Sequence, residues 1–255
     1  MASIEQHINE ETREALQQMA QAQHAATEAR KAKTDRTRLM ASVIQRARQS
    51  GYRPHDQRVH WTLHDADRRL AEGLVLVLGD RAEWLPEYDE VAEWLADNRG
   101  QGLLLIGSCG RGKTVISRDV LPWLFRNHIW TDLTGDGNLS HPVYNYFKAD
   151  RDLKERFGDI SRSRLLCIDD LGTEQTRYFG REENYFDRLV QGDRFERDQL
   201  LVCSTNLTYE QLFGGEDPDT HTVYPPRYDE RTRSRLLECC RRIFFEGEDL
   251  RQKPP

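Results

Sequence analysis

Three short apolar runs stand out along the chain: Leu103-Leu104-Leu105-Ile106, Leu165-Leu166-Cys167-Ile168 and Leu200-Leu201-Val202-Cys203. Each is too short for a helix and ends in small or polar residues, so each reads as a strand buried on both faces. The stretches between them have helical composition, and a helix is expected from Lys113 to about His128. Strands alternating with helices predict a parallel sheet covered on both sides. Upstream, Pro86 opens a helix whose face carries Tyr88, Val91, Trp94 and Leu95, and Asn98-Arg99-Gly100 closes it. Residues 61–78 hold Trp61, Leu63 and the run Leu74-Val75-Leu76-Val77-Leu78, a connector with one buried element.

The first fifty residues differ. They lack Pro and are rich in Ala, Gln, Glu, Lys and Arg, which favours helix. Apolar positions recur only loosely, at Ile4, Ile8, Ala15, Met19 and Ala22, so this segment builds no core alone. From Arg30 to Arg53 eight basic residues face a single acid, Asp35. That run is either a solvated helix face or an arm that touches phosphates or a partner. Ser50-Gly51-Tyr52-Arg53-Pro54 reads as a turn and linker. The expected division is a helical N-terminal region over 1–78 and an α/β domain over 79–255.

Composition removes several function classes. With 255 residues the chain holds one ordinary domain and a smaller appendage. No apolar run approaches the roughly 20 residues that span a bilayer, and the N-terminus has no secretory pattern. The expectation is therefore a cytoplasmic protein with no membrane partner. A net charge of -6 excludes a uniformly basic coat but leaves room for a basic groove. The five cysteines show no CxxC spacing, so neither a disulfide framework nor structural zinc is expected. Cys167 and Cys203 sit inside apolar runs and read as small core residues.

The chemistry concentrates at the ends of the strands. Gly107-Ser108-Cys109-Gly110-Arg111-Gly112-Lys113-Thr114 fits the P-loop pattern, directly after a strand and opening a helix. Its glycines let backbone N–H groups converge on phosphate oxygens, and the helix N-terminus adds positive potential. In that setting Lys113 reaches the β- and γ-phosphates and Thr114 ligates Mg²⁺. The second run ends in Asp169-Asp170-Leu171-Gly172. Asp169 is placed to hold Mg²⁺, directly or through water. Asp170 is either the general base for an attacking water or the N-cap of a helix beginning after it. Asn206, after the third run, either holds that water and senses the γ-phosphate or simply forms a turn. Arg227 to Leu236 carries Arg231, Arg233 and Arg235. That stretch is a solvated helix or the source of an arginine that reaches a neighbouring subunit's γ-phosphate. Arg251 offers a further arginine in cis.

Together, Gly107–Thr114, Leu165–Gly172, Ser204–Leu207, Asp229–Leu236 and Glu246–Arg251 resemble the DnaC/IstB-like branch of AAA+ ATPases, over roughly residues 80–252. This branch contains replicative-helicase loaders and transposon helper ATPases. The resemblance implies a P-loop AAA+ domain: a three-layer parallel sheet with helices on both faces, here preceded by a helical N-terminal extension. It implies ATP and Mg²⁺ as cofactors. Lys113 and Thr114 take the Walker A roles, Asp169 the Walker B magnesium ligand, Asn206 sensor 1, Arg235 the arginine finger with Arg231 beside it, and Arg251 sensor 2. Asp170 stands where many members have Glu. The implied partners are a replicative helicase or a transposase, single-stranded DNA, and further copies of the chain in the presence of ATP and DNA. Loaders carry extra helical structure at the position of residues 144–164. Tyr144, Tyr146 and Phe147 beside Lys148, Arg151, Lys154 and Arg156 read there as a stacking track for a single strand, or as a packed helix. The leading function is ATP-dependent loading of a hexameric helicase onto single-stranded DNA. The alternatives are a transposase-associated ATPase acting on duplex DNA and an adaptor gated by nucleotide that barely hydrolyses it.

Overall fold

The computed structural model describes residues 31, 34–43, 45–46, 58–129, 143–175, 177–178, 181–193, 195 and 198–252. The chain divides into two compact units, Met1–Pro54 and His55–Pro255. In the first, residues 34–43 are helical and exposed, with Leu39, Met40 and Val43 facing solvent. Arg36, Arg38 and Arg46 of the basic run are exposed as well. The apolar positions from Ile4 to Ala22 and the turn from Ser50 to Pro54 lie outside the described residues.

The second unit is α/β. Five strands form one parallel sheet: β1 (Gly102–Gly107), β2 (Tyr144–Lys148), β3 (Leu165–Asp169), β4 (Leu200–Thr205) and β5 (Cys240–Phe245), in the order β2-β3-β4-β1-β5. The three apolar runs occupy the three central places. A central strand faces helices on both sides, so its residues are apolar without alternation. The two edge strands carry more polar residues, such as Asn145, Lys148, Arg241 and Arg242, and no apolar run announces them.

Side chains alternate between two cores. On one face Leu103, Leu105, Cys167, Val202, Ile243 and Phe245 meet α1 (Ala66–Leu78), α2 (Glu87–Ala96) and a long helix, α3, over 115–129. On the other, Leu104, Ile106, Leu166, Ile168, Leu201 and Cys203 meet α4 (Ala149–Glu155), α5 (Phe157–Arg162), α6 (Tyr185–Val190), α7 (Tyr209–Phe213) and α8 (Glu230–Cys239). The result is a three-layer P-loop fold of the kind expected for an AAA+ domain, with helical structure ahead of it.

Residues 58–78 belong to the first of these cores. Trp61 is buried edge-on against Trp94 and Phe125, each with centroids 5.0 Å away, and its indole N–H donates to the Leu95 carbonyl at 3.1 Å. Leu70 and Leu74 of α1 are buried, while Val75 and Leu76 on its other side are exposed. In α2, three acids in the first turn complement the helix dipole, and Tyr88, Val91, Trp94 and Leu95 face inward. Pro122 withdraws one N–H from the middle of α3, and on both sides the winding is of the wider i→i+5 type, over Val115–Val120 and Phe125–Ile129.

Because all five strands are parallel, their carboxyl ends lie on one edge of the sheet. Gly107, Lys148, Asp169, Thr205 and Phe245 end there, and ligands of α/β sheets collect at that edge.

Candidate active site

The loop after β1 is held open by glycines whose neighbours leave no room for a Cβ. Gly110 has φ 78°, with the Asp249 carboxylate where a side chain would begin. Gly112 has φ 87°, and a Cβ there would lie 2.5 Å from the Tyr88 hydroxyl oxygen. An L side chain at either position would face both strain and a clash. Lys113 is 5% exposed and folds back onto its own loop. Its ammonium donates to the Gly107 carbonyl at 2.8 Å and the Ser108 carbonyl at 2.6 Å. Burial pulls its pKa below the usual lysine value, and the carboxylates of Asp170 and Asp169 oppose that shift. Arg111 also lines the cleft, but its guanidinium is engaged. It pairs with Glu87 at the start of α2, N···O 2.6 Å, with both side chains largely buried.

The two acids after β3 point different ways. Asp169 is fully buried and accepts hydroxyl hydrogen bonds from three elements: Thr114 at 3.1 Å and Ser204 on Oδ1, and Tyr146 at 2.5 Å on Oδ2. Burial, and then the Asp169 bond, push the Tyr146 phenol well above its usual pKa, so it stays a donor. Asp170 turns away because its backbone is left-handed, φ 58°, a region that Asp enters at small cost. Its N–H donates to Ser204 Oγ at 3.1 Å, and its carbonyl accepts from Thr173. The carboxylate then meets the Lys148 ammonium at 3.2 Å and Asn206 Nδ2 at 3.3 Å. Turns come directly after Asp170, so it caps no helix.

These groups share one cleft of about 850 Å³. Its walls are the P-loop from Cys109 to Thr114, Lys148, Asp170 and Asn206. Leu78, Arg81 and Tyr88 line it as well. Arg251 closes one side from a single helical turn, Leu250–Gln252, tied to the loop by Leu250 N–H donating to the Gly110 carbonyl at 3.2 Å. Thr114 and Asp169 suit magnesium: a hydroxyl and a carboxylate side by side are hard oxygen ligands. Among the described residues no cluster of three or more His, Cys, Asp or Glu is arranged to hold a metal.

The arginines of α8 stand apart from the cleft. Asp229 caps that helix, its carboxylate accepting from Thr232 N–H at 2.7 Å. Arg235 is half-buried and donates to the Val190 carbonyl of α6 at 2.8 Å. Arg231, one turn nearer the cap, is exposed.

For residues 144–164 the sequence allows two readings, a stacking track or a packed helix, and the structure packs the aromatics, on a strand rather than a helix. Residues 144–148 are strand β2, and their aromatics are committed. The Tyr144 hydroxyl donates to the Ser117 carbonyl at 2.6 Å and its ring stacks on Phe125; Phe147 is buried; Tyr146 holds Asp169. A strand flanked by two cores turns its rings inward. The exposed basic groups of this region are Arg151, Lys154, Arg156, Arg162 and Arg164. Sequence reasoning set Tyr146 and Lys148 on a single-strand track rather than beside the two aspartates, and missed Ser204. The available signal was the two-residue spacing of Tyr144, Tyr146 and Lys148, which puts all three on one strand face.

The five cysteines are all free, and only Cys109, in the P-loop, is exposed. No described helix is long and apolar enough to cross a membrane. No protein-family model matches the chain, and no curated protein matches it. Among solved structures it is similar to one titled "Crystal Structure of the DnaI", at 20% identity over 72% of this chain and 82% of that one, with a TM-score of 0.34. At that score the likeness adds nothing to what the sheet order and the P-loop already say about the fold.

Proposed function

We propose that this chain is a magnesium-dependent ATPase of the AAA+ type that loads a replicative hexameric helicase onto single-stranded DNA, with ATP binding and hydrolysis as its switch. One observation carries the ATPase reading: Lys113, Thr114, Asp170, Asn206 and Arg251 meet around one cleft, with buried Asp169 hydrogen-bonded to Thr114 behind them. The helicase-loading part is supported by the order and spacing of the motifs shared with the DnaC/IstB-like branch.

In this reading the loop N–H groups and Lys113 bind the β- and γ-phosphates, so the ammonium exchanges two carbonyl partners for phosphate oxygens. Thr114 and Asp169 hold magnesium, which when bound neutralises phosphate charge. Asp170 takes the proton of the attacking water, and Asn206 orients both that water and the Asp170 carboxylate. The Lys148 ion pair ties Asp170 down before nucleotide arrives. Arg251 meets the phosphates in cis, and an arginine of α8, Arg231 or Arg235, meets those of a neighbouring copy. Of the region 1–78, the part ahead of residue 58 grips the helicase, because 58–78 is packed into the α/β core. The basic side chains of 151–156 track the single strand without stacking.

The test is co-purification of tagged protein from its host with ATP and magnesium, beside Lys113→Ala, together with hydrolysis by the purified protein. The expectation is helicase recovered with wild type and lost with Lys113→Ala. Asp170→Asn should bind ATP but hydrolyse it on the order of 10²-fold more slowly. Recovery of a transposase instead would move the reading to the duplex-DNA helper. Unchanged hydrolysis in Asp170→Asn would remove Asp170 as the base.

A further inference from the structure

We infer that Tyr146 is a positioning residue for magnesium: its hydroxyl fixes the orientation of the Asp169 carboxylate and so sets how strongly magnesium strengthens nucleotide binding. This rests on the nucleotide-site reading above.

The argument starts from the strand register. In the parallel pairing of β2 with β3, Tyr146 lies opposite Cys167, and Asp169 is two residues further along on the same face. A tyrosine is long enough to reach that diagonal neighbour. Its ring packs against the core beneath α3, which holds the hydroxyl where it is. Asp169 is fully buried, so its orientation is decided by protein donors rather than by solvent. Two of those donors, Thr114 and Ser204, share Oδ1, and Tyr146 binds Oδ2.

Thr114 is itself the second ligand that the ion requires. Once its oxygen turns to the metal, Ser204 on one carboxylate oxygen and Tyr146 on the other remain. Donors on both oxygens fix the plane of a carboxylate, whereas a single donor leaves it free to rotate. Partners of metal ligands are commonly worth 10- to 100-fold in metal affinity. Removing the Tyr146 hydroxyl should therefore cost about tenfold or more.

The experiment is a titration of the full chain with a fluorescent ATP analogue, in EDTA and across a magnesium series, for wild type and Tyr146→Phe. Phenylalanine keeps the ring and its packing. The expected result is that Tyr146→Phe needs about tenfold more magnesium for half-maximal tightening. Its affinity in EDTA should match wild type, and its melting temperature should fall only by the few degrees that one buried hydrogen bond costs. An unchanged magnesium requirement overturns the inference. So does an equal loss of affinity with and without magnesium, because that marks a purely structural role. A wild-type chain that binds no nucleotide under either condition overturns the nucleotide-site reading and this inference with it. A wild type that shows the magnesium effect, with Tyr146→Phe showing it equally, overturns this inference alone.

Discussion

Glu174 offers a quantitative test of how the loop after the two acids is held. Its side chain is 3% exposed and accepts from three directions: the Tyr228 hydroxyl at 2.6 Å, the Gly172 N–H at 2.8 Å and Arg227 Nε at 3.4 Å. Glu174→Ala leaves the Tyr228 hydroxyl and the Gly172 N–H buried without that acceptor. Each such loss costs about 1–3 kcal/mol. Arg227 is 27% exposed and keeps its bond to the Glu174 backbone carbonyl, so its share is small. Relief of the buried carboxylate's own desolvation offsets part of the total. The net expectation is a loss of about 3 kcal/mol, at the low end for breaking a buried charge pair. For a unit of about 200 residues that lowers the melting temperature by roughly 6–12 °C. Glu174→Gln keeps a carbonyl acceptor and should lose about half as much. Urea titrations of Glu174→Ala, Tyr228→Phe and the double variant measure the coupling directly. It should be about 1–2 kcal/mol. A coupling near zero, or a Glu174→Ala loss under about 1 kcal/mol, would refute the claim that this carboxylate ties the acid-bearing loop to the segment leading into α8.

Two further perturbations separate readings that the fold makes distinguishable. A chain cut to residues 79–255 should not melt cooperatively, whereas 55–255 should. The shorter chain loses buried Trp61, Leu63, Leu70 and Leu74. At about 1.5–3 kcal/mol each, that equals much of a domain's net stability of about 5–15 kcal/mol. A sharp calorimetric transition for 79–255 would show that α1 is dispensable. Arg235→Ala should destabilise by about 1 kcal/mol through its lost bond to the Val190 carbonyl. Arg231→Ala should leave the melting temperature unchanged and slow only hydrolysis by the assembled protein, on the order of 10³-fold. The reverse pattern would make Arg235 the arginine that acts across subunits.

Much of the site is legible in the residues alone because its pieces are contiguous. Gly107 to Thr114 carries strand end, turn and helix start in eight residues, and Asp169-Asp170 lies directly at its strand's end. The central strands are legible for a related reason: burial on both faces demands an unbroken apolar run. The edge strands are not. The Tyr144–Lys148 segment mixes rings with Asn and Lys, and the Cys240–Phe245 segment opens on two arginines after its cysteine.

Sequence by itself therefore determined the fold class and the candidate residues that line the cleft, since short-range patterns encode both. Tertiary structure decided which partners those residues have. Tyr146 lies 23 residues from Asp169, Lys148 lies 22 from Asp170, and Tyr228 lies 54 from Glu174. Each pair meets only because of strand order, register or loop packing. Which of Arg231 and Arg235 is exposed likewise depends on which side of α8 packs on α6. Such contacts depend on where distant segments dock, and no local pattern of residue types specifies that.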